Sequence, residues 1–276
     1  MLMKPVVSVI IPCYNQEKYI AETLDSVLAQ TFGDWECIVM DDGSSDGSAA
    51  VVRAYCDKDP RIKYFHQENG GVSKARNEAV ARSCGEYILP LDGDDLIAPS
   101  YIEEALAHMR SNPATKLVYC LADTFGGISG PWLLKSFSYE DFVWENCIFC
   151  TALFRRSDFD AAGGYNVNMV NGLEDWDFLL SLLGPEDVVY QIPKVLFHYR
   201  ILPGSRTRRM DDEKELLWQI LQNHPDIYKD RLFAMVEKWR LESASLTYSL
   251  ERPLGHALTK PLRLLREASR RKKYRS

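Results

Sequence analysis

Tyr87-Ile88-Leu89-Pro90-Leu91-Asp92-Gly93-Asp94-Asp95 is a short apolar run that breaks into three carboxylates within four residues. An uninterrupted apolar segment of this length predicts a strand buried on both faces, and the Gly-Asp-Asp that follows predicts a turn before a helix beginning near Pro99 or Ser100. Upstream the same grammar recurs three times. Strand-like runs at 6–11, 35–40 and 62–66 each lead into a helical stretch, at 17–30, 46–56 and 72–82. Such β-α alternation predicts an α/β fold with a mainly parallel sheet and right-handed crossovers. Ligands of such sheets sit beyond the carboxyl ends of the strands, where the polar residues of this chain gather.

Downstream the pattern loosens. The glycine-rich segment 123–138, with Gly126, Gly127, Gly130 and Pro131, reads as a mobile loop. Further strands are expected at 147–154, 188–192 and 195–199, with a helix over 174–183. From residue 211 onward Leu216, Leu217, Ile220 and Leu221 recur at helical spacing, which predicts a C-terminal helical appendage, and no internal repeat is present.

At 276 residues, 46% apolar and 26% charged, the chain has material for one large domain and an appendage. It contains no run of eighteen apolar residues and its N-terminus enters a strand directly, so the expectation is a cytosolic protein without membrane span or signal peptide. Seven cysteines at irregular spacing read as reduced thiols; Cys147 and Cys150 form a lone CxxC in an apolar run, which fits core packing better than zinc. The net charge of −6 conceals an asymmetry: segment 260–276 holds eight Lys or Arg against one Glu, leaving −13 on the remainder. An acidic body argues against nucleic acid as a partner. The basic tail, with Leu258, Leu262 and Leu265 at helical spacing, is compatible either with peripheral contact at an anionic membrane surface or with a solvated helix end.

Three strand ends carry the candidate chemistry. Val7-Ser8-Val9-Ile10-Ile11-Pro12-Cys13-Tyr14-Asn15 ends in an aromatic whose ring can stack on a nucleobase or cap the core. Met40-Asp41-Asp42-Gly43-Ser44-Ser45-Asp46 offers Asp42 as an acceptor for a base or ribose, while Ser44, Ser45 and Asp46 read as a turn and helix cap. The acids at 92, 94 and 95 repel one another unless a cation lies among them. Oxygen donors favour Mg²⁺ or Mn²⁺ bridging to a diphosphate, with a solvated turn capping the next helix as the alternative.

In order along the chain, the Val-Ser-Val-Ile-Ile-Pro-Cys-Tyr-Asn run, Asp41-Asp42-Gly43-Ser44, Gly70-Gly71-Val72-Ser73-Lys74-Ala75-Arg76-Asn77, Asp92-Gly93-Asp94-Asp95 and Glu174-Asp175-Trp176 closely resemble the family 2 glycosyltransferases of GT-A fold. The resemblance covers about 6–206. It implies a Rossmann-like domain over 1–210, with a nucleotide half at 1–98 and an acceptor half at 99–210, ahead of a helical extension with a basic tail at 211–276. It also implies that Tyr14 meets the base, with Pro12 among the nucleotide-binding residues, that Asp42 meets base or ribose, and that Lys74 and Arg76 face the nucleotide or diphosphate. Asp92 and Asp94 become the DxD pair, with Asp94 the direct ligand of Mn²⁺ or Mg²⁺, and Asp175 becomes the catalytic base. Near 198–209 the family often carries a His or Arg that closes over the diphosphate; His198, as a further metal ligand, Arg200 and Arg206 are the candidates.

The implied activity is inverting transfer of a sugar from a nucleotide-sugar, with UDP as the family expectation, to a hydroxyl of a glycan or lipid-linked acceptor in cell-surface polysaccharide synthesis. The corresponding location is cytoplasmic or peripheral at the inner face of the membrane. Two other classes stay open at the level of sequence: a nucleotidyltransferase, which would release pyrophosphate, and a non-catalytic nucleotide-sugar or glycan-binding partner. A P-loop is excluded because the chain contains no Gly-Lys pair.

Overall fold

The computed structural model describes residues 4–202, 213–229 and 231–232. The chain divides into two compact units, Met1–Asn223 and His224–Ser276, and the following concerns the first. Its opening elements are β1 (Val7–Cys13), α1 (Ile20–Leu28), β2 (Trp35–Asp41), α2 (Ser48–Lys58), β3 (Ile62–His66), α3 (Val72–Arg82) and β4 (Tyr87–Pro90). Every residue of β1, β2 and β4 is buried, as expected of strands covered on both faces. Helix α1 buries Ile20, Thr23, Leu24 and Val27, one stripe at helical spacing. The four strands are mutually parallel in the order β3-β2-β1-β4.

The second half comprises β5 (Leu96–Ile97), α4 (Tyr101–Ser111), β6 (Thr115–Gly126), β7 (Gly130–Trp132), α5 (Tyr139–Phe142), β8 (Leu153–Arg155), α6 (Arg156–Ala162), α7 (Glu174–Leu182), β9 (Val188–Ile201) and α8 (Glu213–Asn223). It extends the same sheet as β4-β8-β6-β9-β5. Here β8 runs antiparallel to both its neighbours while β6 and β9 are parallel, so the nine-stranded sheet is mixed.

Three expectations change in this half. The glycine-rich segment is largely a hairpin, in which β7 pairs with β6 from Ala122–Trp132 to Thr124–Gly130. The two strands expected at 188–199 are one, because the ladder jumps from Cys120–Ile192 to Leu121–Val195 and bulges out Pro193, which has no N–H to give. Of the strand expected at 147–154 only the end pairs. Residues before it satisfy their amides locally, Ile148 N on Asn146 Oδ1 at 3.1 Å and Ala152 N on Cys150 O at 2.9 Å. Helix α8, expected to open the appendage, lies within the first compact unit and is fixed there by Asn223 Nδ2 donating to Asp177 Oδ1 at 2.7 Å. Among the described residues no helix is long and apolar enough to cross a membrane. Arg206 and the basic tail lie outside the described residues.

Candidate active site

The carboxyl ends of β1, β2 and β4 open side by side. At the end of β1, Tyr14 is 52% exposed, and Asn15 adopts φ +54°, a left-handed conformation that Asn tolerates. Asn15 ties this edge to the β2 turn, its N–H donating to Ser44 Oγ at 2.9 Å and its Oδ1 accepting from Ser45 N at 2.9 Å. Pro12 is buried within the strand.

Asp42 is buried at 3% exposure and holds the glycine loop ahead of α3. Its Oδ1 accepts from Gln67 Nε2 at 2.6 Å and Gly70 N at 2.8 Å, and its Oδ2 from Gly71 N at 2.9 Å. The exposed Lys74 side chain folds back over this loop, its Cδ 2.4 Å from where a Cβ on Gly70 would stand. Asp46 takes the N–H of Ser48, the first residue of α2, at 3.0 Å, the capping role expected of it.

The acid turn after β4 is electrostatically different. Burial, then the neighbouring Asp92, push the Asp94 carboxyl up to about 6. Asp95 is raised well above its ordinary value by burial and by Asp94 and Asp92. Its Oδ1 accepts the Arg200 N–H at 2.8 Å, while its buried Oδ2 finds no partner. Crowded carboxylates with an unsatisfied oxygen are what a hard divalent cation would relieve, so the donor set fits Mg²⁺ or Mn²⁺. Among the described residues, however, no three His, Cys, Asp or Glu side chains are grouped closely enough to hold a metal ion.

Two arginines grip this turn. Arg76, 1% exposed, donates from Nη2 to Asp92 Oδ1 at 2.7 Å and from Nη1 to Glu174 Oε1 at 3.1 Å. Arg200 lies between the rings of Tyr19 and Phe125, 4.9 and 4.3 Å from their centroids, and donates from Nε to Asp94 O at 2.7 Å and from Nη2 to Glu22 Oε2 at 3.0 Å. Both guanidinium groups are therefore engaged by the protein itself. His198 faces Leu96 across the β5–β9 ladder, which places it beside the turn, and its Nδ1 lies 2.6 Å from Asp123 Oδ1. That contact leaves Nε2 as the ring atom available to a ligand.

Glu174 and Asp175 open α7. The residue before them, Leu173, sits at φ +59°, an uncommon conformation for a non-glycine residue and one often held at functional sites. The Asp175 carboxyl is pushed up to about 6 by burial and by Glu174, against the pull of Arg76. Its Oδ1 accepts its neighbour's Trp176 N–H at 2.8 Å, and Asn146 Nδ2 lies 3.5 Å from Oδ2.

The sequence singles out the two acidic segments separately, and Arg76 joins them in space. Asn146, Asp123 and Cys150 are participants that the sequence does not announce. Of the CxxC pair, Cys147 is buried, whereas Cys150 lies at the acid turn with Sγ 3.6 Å from Asp92 Oδ2. Burial and the Asp92 charge push its thiol well up, so it stays protonated there.

Residues 8–163 match the sequence profile of Glycosyl transferase family 2. The chain belongs to that family. It is 40% identical over 223 residues to an uncharacterized glycosyltransferase, EpsJ, of Bacillus subtilis, an alignment covering 74% of this chain and 64% of EpsJ. To the putative teichuronic acid biosynthesis glycosyltransferase TuaG of the same organism it is 34% identical over 211 residues, 73% of this chain and 81% of TuaG. Against the chondroitin synthase of Escherichia coli, 31% identical, the alignment spans 76% of this chain but only 31% of that protein. Several relatives are thus considerably longer than the matched region. Among solved structures, residues 1–349 of Staphylococcus aureus TarS in complex with UDP-GlcNAc share the fold at TM-score 0.68 and 23% identity, over 80% of this chain and 66% of that one. The Pyrobaculum calidifontis mannosyltransferase PcManGT, in complex with GDP-Man and Mn²⁺, does so at TM-score 0.61 and 19% identity, over 97% and 81%. The fold is GT-A.

Proposed function

We propose that the chain is a metal-dependent inverting glycosyltransferase that moves a sugar from a nucleoside-diphosphate sugar, with uridine the first candidate, to a hydroxyl of a glycan or lipid-linked glycan. The observation that carries the proposal is the convergence of two acidic segments distant in sequence. The Asp92–Asp95 turn and the Glu174-Asp175 helix start meet through one buried arginine, and Asp94 and Asp175 are both pushed up to about 6. Titratable groups displaced from their ordinary range cluster where chemistry is done.

In this proposal residues 1–98 bind the nucleotide, with Tyr14 and Pro12 at the base, Asp42 holding the glycine loop against base or ribose, and Lys74 beside the diphosphate. Residues 99–210 present the acceptor. Asp94, with Asp92, would hold Mn²⁺ or Mg²⁺, which when bound supplies positive charge to the departing diphosphate; His198, tied to Asp123, is not grouped with them closely enough to serve as a third ligand. Asp175 takes the proton from the acceptor hydroxyl as that oxygen bonds to the anomeric carbon from the face opposite the leaving group, which inverts the configuration. A carboxyl near 6 is ionised at neutral pH yet more basic than a free one, as a general base should be. Polysaccharide precursors at a membrane surface fit as acceptors, with the basic segment 260–276 as the contact.

The experiment is a screen of UDP-, GDP- and other nucleoside-diphosphate sugars, with glycan acceptors, for Mn²⁺-dependent release of free nucleoside diphosphate. Release from one donor, abolished by chelator, is expected. Release of pyrophosphate, or tight binding without turnover across all donors and acceptors, would overturn the proposal.

A further inference from the structure

A guanidinium buried to 1% exposure is a costly thing to fold unless its charge and its N–H groups are met. Arg76 meets its charge and both terminal nitrogens with carboxylates from opposite parts of the fold, Asp92 on the acid turn at 2.7 Å and Glu174 on the first turn of α7 at 3.1 Å, while its buried Nε finds no partner. Its planar head also lies over the ring of Tyr165, 5.2 Å from the centroid. The next residue on α3 strengthens the same joint. Asn77 donates from Nδ2 to Tyr165 O at 2.8 Å and accepts at Oδ1 from Tyr165 N at 2.8 Å. That approach requires a glycine beside it: Gly164 has φ +75°, and a Cβ there would meet Asn77 Oδ1 at 2.8 Å.

Helix α3 thus reaches out of the first half of the sheet and holds two parts of the second. Glu174 immediately precedes Asp175, so the carboxylate gripped by Arg76 and the proposed base share one helical turn. The left-handed Leu173 before them lets the chain enter that turn abruptly. Asp92 has only two oxygens, and one belongs to Arg76. A cation that draws Asp92 toward itself, as one bound with a diphosphate would, changes what Arg76 has left to share with Glu174.

Resting on the transferase proposal above, we infer that Arg76 is a positioning residue. With Asn77 it forms a buried strut that conveys occupancy of the acid turn to the N-terminus of α7 and sets Asp175 once nucleoside diphosphate is bound. Lysine cannot replace it, because a point-like ammonium lacks the planar fork that spans two carboxylates.

The test has two arms. In the ligand-free full chain, Asp92→Asn and Glu174→Gln are made singly and together, and thermal midpoints are read with Arg76 present and with Arg76→Met. Loss of both carboxylates strands a buried cation. The double variant should therefore melt below the temperature given by adding the two single shifts, and the discrepancy should disappear with Arg76→Met. If Arg76→Met does not fold, the uncharged Arg76→Gln replaces it. Midpoints that simply add with Arg76 in place would overturn the strut.

In the second arm, hydrogen exchange of α7 amides is followed with UDP and Mn²⁺. The amides should become more protected in the parent, and this response should be lost in Glu174→Gln. Bound nucleotide with no response of α7 in the parent would overturn the transmission. Failure of any nucleoside diphosphate to bind would sink the transferase proposal and transmission together, while the melting cycle still decides the strut.

Discussion

Two acidic turns stand at the ends of β2 and β4, the strands on either side of β1, and their carboxylates are in opposite condition. At the end of β2, burial would raise Asp41, but hydrogen bonds from Ser44, Tyr64 and His66 hold it below its ordinary value. Asp46 is lowered likewise, burial being outweighed by the hydrogen bonds from Ser48 and Glu17 together, and Asp42 is occupied by three donors. After β4, Asp94 is raised by burial and by Asp92, Asp95 by burial and by both of these acids, and Asp95 keeps an oxygen without a partner. Sequence gives both turns the same look, an apolar run followed by clustered Asp and Gly. The difference is donor supply: the first turn is saturated by the protein and builds structure, whereas the second is left short and waits for charge from outside.

The largest effect that would sharpen this contrast is at Asp94. Asp94→Asn should reduce metal-dependent turnover on the order of 10²-fold or more while leaving the melting temperature unchanged or higher. Equal turnover in variant and parent would remove the contrast. Asp42→Ala should do the reverse in kind. It strands three donors and should cost about 2–4 kcal/mol of stability, seen in denaturant unfolding and in faster exchange of the Gly70 and Gly71 amides.

Asp175 links stability to pH. Its folded-state value of about 6 lies above the ordinary 3.8, so its contribution to stability is full below the ordinary value and is lost as pH rises through about 6. Asp175→Asn should therefore stabilise the chain by about 1–3 kcal/mol at pH 7.5 and by roughly half of that at pH 5, measured by unfolding at the two pH values. The same ionisation should give kcat/KM an acidic limb near 6. The smallest effect is expected at Asp46, where Asn keeps the helix-capping acceptor and should change stability by less than about 1 kcal/mol.

The first half of the sheet was legible because each β-α unit is local: a fully buried strand, a polar turn and an amphipathic helix follow one another without interruption. The second half hides its pairing. Pro193 breaks one strand into two apparent ones, and the 146–152 backbone is satisfied by its own turn rather than by a ladder. The glycines at 126–130 mark a hairpin whose partner lies in the same strand run. Of the candidate site residues, the acids at 92–95 stand out in the sequence as a cluster at a strand end, whereas Asp175 is singled out by the family resemblance and not by its own segment. The Asp92–Arg76–Glu174 bridge, the Asp123–His198 pair and the place of Cys150 were not legible, since each needs elements far apart in sequence to be packed first. Arg76 and Arg200, singled out as phosphate ligands, are committed within the fold to Asp92, Glu174, Glu22 and the acid turn itself.

The most direct test of the account compares parent and Asp175→Asn at pH 7.5 for both nucleoside-diphosphate binding and sugar transfer. Binding should stay within about threefold, under 1 kcal/mol, while transfer falls on the order of 10²-fold or more. Transfer by Asp175→Asn at the parent's rate would contradict it.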